Sequence, residues 1–196
     1  MTAALNLPQR EVWTVDDLAE LPPDLPYELV NGRLILVSPD FVHQFLCFRI
    51  MQALDANCPA AYSPVGDLTL DVGRYSEPRP DVVVMDTSHV DQHPPPVEDA
   101  LLAVEVVSKD SRLRDVYDKA GMYAAAGVKH YWVIDPLTDK ISLAEHVLEP
   151  KLRRYAIARQ TTEVFTTDEP YAITIDLPAL TARRDAFLAR TKPGRR

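Results

Sequence analysis

The sequence predicts an α/β fold with a central mixed β-sheet flanked by helices, and three observations carry that expectation. Residues 81–85, with Val82-Val83-Val84 at their centre, and residues 101–107 are nearly continuous apolar runs, the pattern of strands covered on both faces. Stretches of helical periodicity fall between such runs instead of forming a separate block. A chain of 196 residues, 46% of them hydrophobic, is also large enough to cover a sheet and bury a core. One domain over residues 1–196 is expected, with its core at about 14–180 and a basic tail at about 190–196.

Taken in order, Thr14 followed by Asp17 resembles a capping box and predicts a short helix that stops at Pro22-Pro23. Residues 27–30 and 33–37 flank Asn31-Gly32, the dipeptide that best tolerates a two-residue primed turn, and predict a β-hairpin. Residues 40–57 place Phe41, Val42, Phe45, Phe48 and Leu54 at helical spacing. Residues 67–72 alternate in polarity and predict a strand, followed by the buried strand at 81–85.

A loop is expected at 87–99, where Pro94-Pro95-Pro96 occurs, and a second buried strand at 101–107. The helix beginning near Ser111 sets Leu113, Val116, Tyr117, Ala120 and Ala124 on one face and ends at Gly127, a natural left-handed cap. Residues 130–134 and 141–147 predict a hairpin across 135–139, with shorter strands at 152–158 and 171–175 and a terminal helix at 178–189.

No stretch reaches the roughly 18 uncharged apolar residues of a membrane span, and residues 1–10 lack the apolar core of a signal peptide. A cytoplasmic protein is expected. Cys47 and Cys58 lie on or just past one predicted helix, too far apart to bridge, and read as reduced structural thiols. The net charge of −8 argues against a nucleic-acid partner, since phosphates are met mainly by Lys and Arg. The distribution weakens the objection, because residues 150–196 carry ten Lys/Arg against five Asp/Glu. A basic face beside an acidic, cation-collecting site fits this asymmetry, and so do simply solvated arginines.

Two acids stand where buried strands should be apolar throughout: Asp81 opens one run and Glu105 interrupts the other. A buried carboxylate costs several kcal/mol unless paired or bound to a cation. Asp81 as a strand cap and Glu105 paired with Arg112 or Arg114 would explain them structurally; convergence on one hard divalent cation would explain them functionally. On the following helix Asp115, Lys119 and Tyr123 recur every four residues, so Lys119 either points back to the strand ends or forms a surface pair with Asp115. The i, i+4 pair His89 and His93 falls in a proline-rich loop and makes a weak zinc signal, Ser108 has no nucleophile elbow around it, and no glycine-rich phosphate loop is present.

Residues 27–32 (Tyr-Glu-Leu-Val-Asn-Gly), His43, Arg79-Pro80-Asp81, Glu105-Val106-Val107-Ser108, Asp115, Lys119, Tyr123, Gly127, Tyr131-Trp132 and Asp135-Pro136 together resemble the Uma-two family of restriction-endonuclease-like proteins, within the PD-(D/E)XK nuclease superfamily. The resemblance covers about residues 14–180. It implies a restriction-endonuclease-like core, Mg²⁺ held by Asp81 and Glu105 with Mn²⁺ able to substitute, and hydrolysis of DNA phosphodiester bonds. It implies Lys119 and Glu28 as further catalytic residues, His43 as a substrate-binding one, and a homodimer. The superfamily pattern would place a lysine where Val107 stands; here the helix supplies it as Lys119. A non-catalytic binding or assembly module that keeps the nuclease fold is the alternative, and the acidic charge is its best support.

Overall fold

The apolar runs become the middle of a six-stranded sheet in the computed structural model, which describes residues 7–108 and 113–191. The elements in chain order are β1 (Tyr27–Val30), β2 (Arg33–Leu36), α1 (Phe41–Asp55), β3 (Tyr62–Gly66), β4 (Val82–Asp86), β5 (Ala100–Val106), α2 (Leu113–Ala126), β6 (His130–Asp135), β7 (Ser142–Glu149), β8 (Arg154–Thr161), β9 (Val164–Thr167), β10 (Ile173–Asp176) and α3 (Leu177–Thr191). The sheet runs β3-β4-β5-β6-β7-β8, while β1–β2 and β9–β10 are separate hairpins. Within it β5 and β6 are parallel, with α2 as their crossover, and the other neighbours are antiparallel. The chain is therefore a mixed α/β structure with a central mixed sheet flanked by helices, as the sequence predicts.

Strand period 2 sorts the core into two layers. Val82, Val84, Leu102, Val104, Val106, Trp132 and Ile134 face α1, the β9–β10 hairpin and the start of α3. Val83, Met85, Ala103, Val107 and Tyr131 pack instead with Val116, Met122 and Tyr123 of α2 and Val30 of β1. Glu105 shares the parity of Ala103 and Val107, which directs it toward α2. Val82 pairs with Val104 and Val83 with Ala103. Continuing that antiparallel register by one step sets Asp81, just before β4, opposite Glu105.

The first hairpin closes through Asn31 (φ 49°) and Gly32 (φ 75°), as the dipeptide demands. A Cβ on Gly32 would also meet Val12 Cγ1 at 2.7 Å, so glycine serves both the turn and the packing of the N-terminal segment. Thr14 and Asp17 form the expected capping box, with Asp17 Oδ2 accepting from the Thr14 amide at 2.8 Å and its hydroxyl at 2.7 Å. The turn that follows, Val15–Glu20, is a 3-10 helix.

Three expectations need correction. Residues 67–72 form no regular strand: Asp67 takes a positive φ of 54°, and the sheet edge is β3, which contains Pro64 and Gly66. An edge strand accommodates a proline because one side has no partner to bond, so the residues that mask the strand in the sequence are tolerated in the fold. On α1 the buried face is His43, Leu46, Cys47, Ile50 and Leu54, whereas Phe41 and Phe48 are 70% and 52% exposed. Phe41 and Phe45 instead meet Phe187 of α3 edge-on, at 5.2 and 5.0 Å between ring centroids. On α2 Tyr117 is exposed, and Lys119 and Tyr123 turn inward.

Strand β9 also goes unseen in the sequence, since its four residues, Val164–Thr167, alternate too briefly to stand out. Among the described residues no helix is long and apolar enough to cross a membrane.

Candidate functional site

The buried acid of β5 finds its partner on α2. Glu105 is 5% exposed, and Lys119 Nζ donates to both of its carboxylate oxygens at 3.0 Å. The same ammonium lies 2.6 Å from Glu28 Oε2 on β1 and 3.4 Å from the Arg79 carbonyl. The Tyr123 hydroxyl, one turn after Lys119, donates to Glu105 Oε1 at 3.3 Å. Glu28 also accepts from the Arg79 amide at 3.4 Å. Three elements that are distant in sequence thus share one internal ion cluster, in which Lys119 bridges two carboxylates.

Asp81 stands beside the cluster, nearer to solvent. Its side chain is 21% exposed, and Oδ2 accepts from the Val106 amide at 2.6 Å and lies 3.3 Å from His43 Nε2. The residue does cap a strand end, and it also faces the imidazole of α1. His43 Nδ1 lies 3.6 Å from Cys47 Sγ, one helical turn along. Asp81, Glu105, Glu28, Lys119, His43 and Cys47 all line a single cleft of about 420 Å³. A second hollow of about 310 Å³ lies beside it, and His43 and Ser108 line both.

Burial pushes the Glu105 carboxyl up to about 8, against the opposing pull of Lys119 and with help from the charges of Asp81 and Glu28. For Lys119 burial acts downward, but Glu105, Glu28 and Asp81 outweigh it and hold the ammonium above the ordinary lysine value. His43 is likewise lowered by burial and raised more by its bond to Asp81 and the charge there, so its net shift is upward. Burial raises the Cys47 thiol, and Asp81 and Glu105 raise it further.

All five candidate residues from the sequence therefore meet at one cleft. Val107, where the superfamily pattern would place a lysine, is buried against α2, and the Lys119 ammonium reaches Glu105 from the helix instead. Arg112 and the side chains of Arg114 and Asp115, the partners that a purely structural reading would give Glu105 and Lys119, lie outside the described residues; Lys119 itself is buried between acids. Sequence reading assigned no site role to Tyr123, although it stands four residues after Lys119, nor to Cys47, although it stands four after His43. His89 is tied to Asp99 at 2.7 Å, in keeping with a structural loop.

Part of the basic C-terminal region is committed within the chain. Arg184 is buried and donates to the carbonyls of Pro136, Thr138 and Asp139, fastening α3 to the β6–β7 turn. Arg159 lies 3.2 Å from Glu145 and stacks over Phe165, and Arg154 lies 3.4 Å from Glu149. Lys151, Arg153, Arg183 and Arg190 are exposed.

A mixed sheet with acids and a lysine gathered at its strand ends is the architecture of a nuclease-like protein, and comparison with known proteins agrees. The fold is similar to that of a crystal structure of "a putative nuclease belonging to DUF820" from Anabaena variabilis ATCC 29413, with a TM-score of 0.66 over 87% of this chain and 98% of that one, at 15% identity. A family model described as "Putative restriction endonuclease" matches residues 15–178. The chain belongs to this family, Uma2. No curated protein matches the chain significantly.

Proposed function

We propose that this protein is a Mg²⁺-dependent endonuclease that hydrolyses DNA phosphodiester bonds, with Mn²⁺ able to replace Mg²⁺. The observation that carries the reading is the gathering of Asp81, Glu105, Glu28 and Lys119 at one cleft, with Lys119 Nζ shared between Glu28 and Glu105.

The donor set suits a hard divalent ion. Asp81 is part-exposed to the cleft, and Glu105 Oε2 accepts one hydrogen bond, from Lys119, where a carboxylate oxygen has two lone pairs to offer. Asp81 and Glu105 would hold the ion, which when bound polarises the scissile phosphate and lowers the pKa of a water ligand.

The chain's own groups supply the rest. Lys119, fixed by two carboxylates and a backbone carbonyl, offers a positive charge already oriented for the negative charge that develops on phosphoryl oxygens. Glu28 holds that ammonium in place, and Tyr123 holds Glu105. His43, kept cationic to higher pH by Asp81, lines both hollows and would donate to a substrate phosphate there. The same reading sets the enzyme in the cytoplasm as a homodimer.

The test is cleavage of supercoiled plasmid DNA with Mg²⁺, Mn²⁺ or a chelator, by the wild type and by Asp81→Ala and Glu105→Ala. Cleavage that needs the ion and is lost in both folded variants is expected. Full cleavage by either variant overturns the assignment. No cleavage, together with no thermal shift by either ion, would leave the non-catalytic binding or assembly module.

A further inference from the structure

We propose that His43, Cys47 and Asp81 form a second cation site, selective for a borderline-soft divalent ion such as Zn²⁺ and mutually exclusive with the hard-ion site because both use Asp81. One ligand atom from each of the three residues lies within 4.8 Å of the other two. His43 and Cys47 stand one turn apart on α1, and both are anchored in the core face of the helix.

The spacing is that of a chelate. Zinc holds nitrogen, oxygen and sulfur at about 2.0–2.3 Å, so tetrahedral ligand pairs stand about 3.3–3.8 Å apart. Cys47 Sγ lies 3.6 Å from His43 Nδ1, and Asp81 Oδ2 lies 3.3 Å from His43 Nε2. One imidazole gives one nitrogen to an ion, so binding draws the third donor, already within 4.8 Å of the other two, inward by up to about 1–1.5 Å. Cys47 lines the same cleft as Asp81, which provides the entry path.

The chemistry separates this site from the all-oxygen one. Thiolate and imidazole prefer zinc, cobalt or copper, and carboxylates alone prefer magnesium or manganese. Binding releases the thiol proton to solvent and so strengthens with rising pH. An ion here would replace the Asp81–His43 contact and occupy the Asp81 carboxylate that the hard-ion site also uses. Zinc would then act as an inhibitor of any chemistry that depends on Asp81 and Glu105.

Co²⁺ titration of the purified full chain reads the site without an activity assay. A thiolate-to-cobalt charge-transfer band is expected in the wild type. The band should be absent in Cys47→Ser, and in His43→Gln and Asp81→Asn it should need roughly tenfold or more Co²⁺, since even outer partners of metal ligands change affinity that much. Excess Zn²⁺ should bleach the band at near-stoichiometric amounts, and Mg²⁺ should not. A wild type without the band overturns the proposal, as does a band that persists in Cys47→Ser and so arises from Cys58.

Discussion

Replacing Lys119 by Met keeps most of the side-chain volume and removes the charge. The residue is 6% exposed, and its ammonium sits 2.6 Å from Glu28 Oε2 and 3.0 Å from Glu105 Oε2. An exposed pair would be worth about 0–1 kcal/mol. Here the substitution removes the cation between two buried acids, and above about pH 8, where Glu105 is ionised in the folded chain, removal of one partner from such a pair costs about 3–5 kcal/mol. For a chain of this size that lowers Tm by about 10 °C, at roughly 2–4 °C per kcal/mol. Urea unfolding followed by circular dichroism, with an unchanged m-value, measures it directly. Adding Glu105→Gln in the same chain should recover part of the loss, because the uncompensated charge goes with it. A single-mutant cost under about 1 kcal/mol, or strict additivity of the two changes, would refute the internal ion cluster.

Other outcomes follow from the same geometry. Because the Glu105 carboxyl is raised from its ordinary 4.5 to about 8 by burial, the folded protein holds that proton more tightly than the unfolded chain. The associated stability is complete below about 4.5 and lost as pH rises through about 8. His43, also raised, acts in the same sense above its ordinary 6.5. The metal-free protein should therefore lose Tm from pH 5 to pH 9, and Glu105→Gln should flatten the slope; an unchanged slope would contradict the assignment.

Tyr123→Phe removes one hydrogen bond to Glu105 at almost constant packing. It should cost about 1.5–3 kcal/mol, the range for bonds to charged groups, and a Tm equal to wild type in thermal melts would argue against that bond. Tyr117→Ala, on the exposed side of the same helix, should change stability by no more than about 0.5 kcal/mol; a large loss would mean that the inward face of α2 is wrongly placed.

Most of the scaffold was legible because it rests on local rules. The Asn31-Gly32 turn, the uninterrupted valines of β4 and the glycine cap of α2 each follow from neighbours in the chain. What escaped depends on tertiary context. Pro64 and Gly66 argue against a strand until the strand is known to be an edge, and Phe41 and Phe48 look like core until α3 and the cleft are in place.

The candidate site divides in the same way. Asp81 and Glu105 stand out because carboxylates are expensive in buried strands. Nothing local tells Glu28 from an exposed strand acid, since its burial and its 2.6 Å contact depend on α2, 91 residues later. The family pattern points to Lys119, and strand parity at Glu105 supplies the physical reason for its direction. Cys47 shows the limit of spacing arguments: i, i+4 from a histidine on a helix also suits plain packing, and only Asp81, brought in from β4, makes it part of a triad.

The proposed chemistry depends above all on Asp81 and Glu105 acting as joint ligands of one hard cation. A crystal structure of the wild-type chain soaked in Mn²⁺ tests it most directly. An ion within about 2.0–2.6 Å of a carboxylate oxygen from each residue is predicted. No ion in the cleft, or one bound away from either acid with the Lys119–Glu105 pair undisturbed, would contradict it.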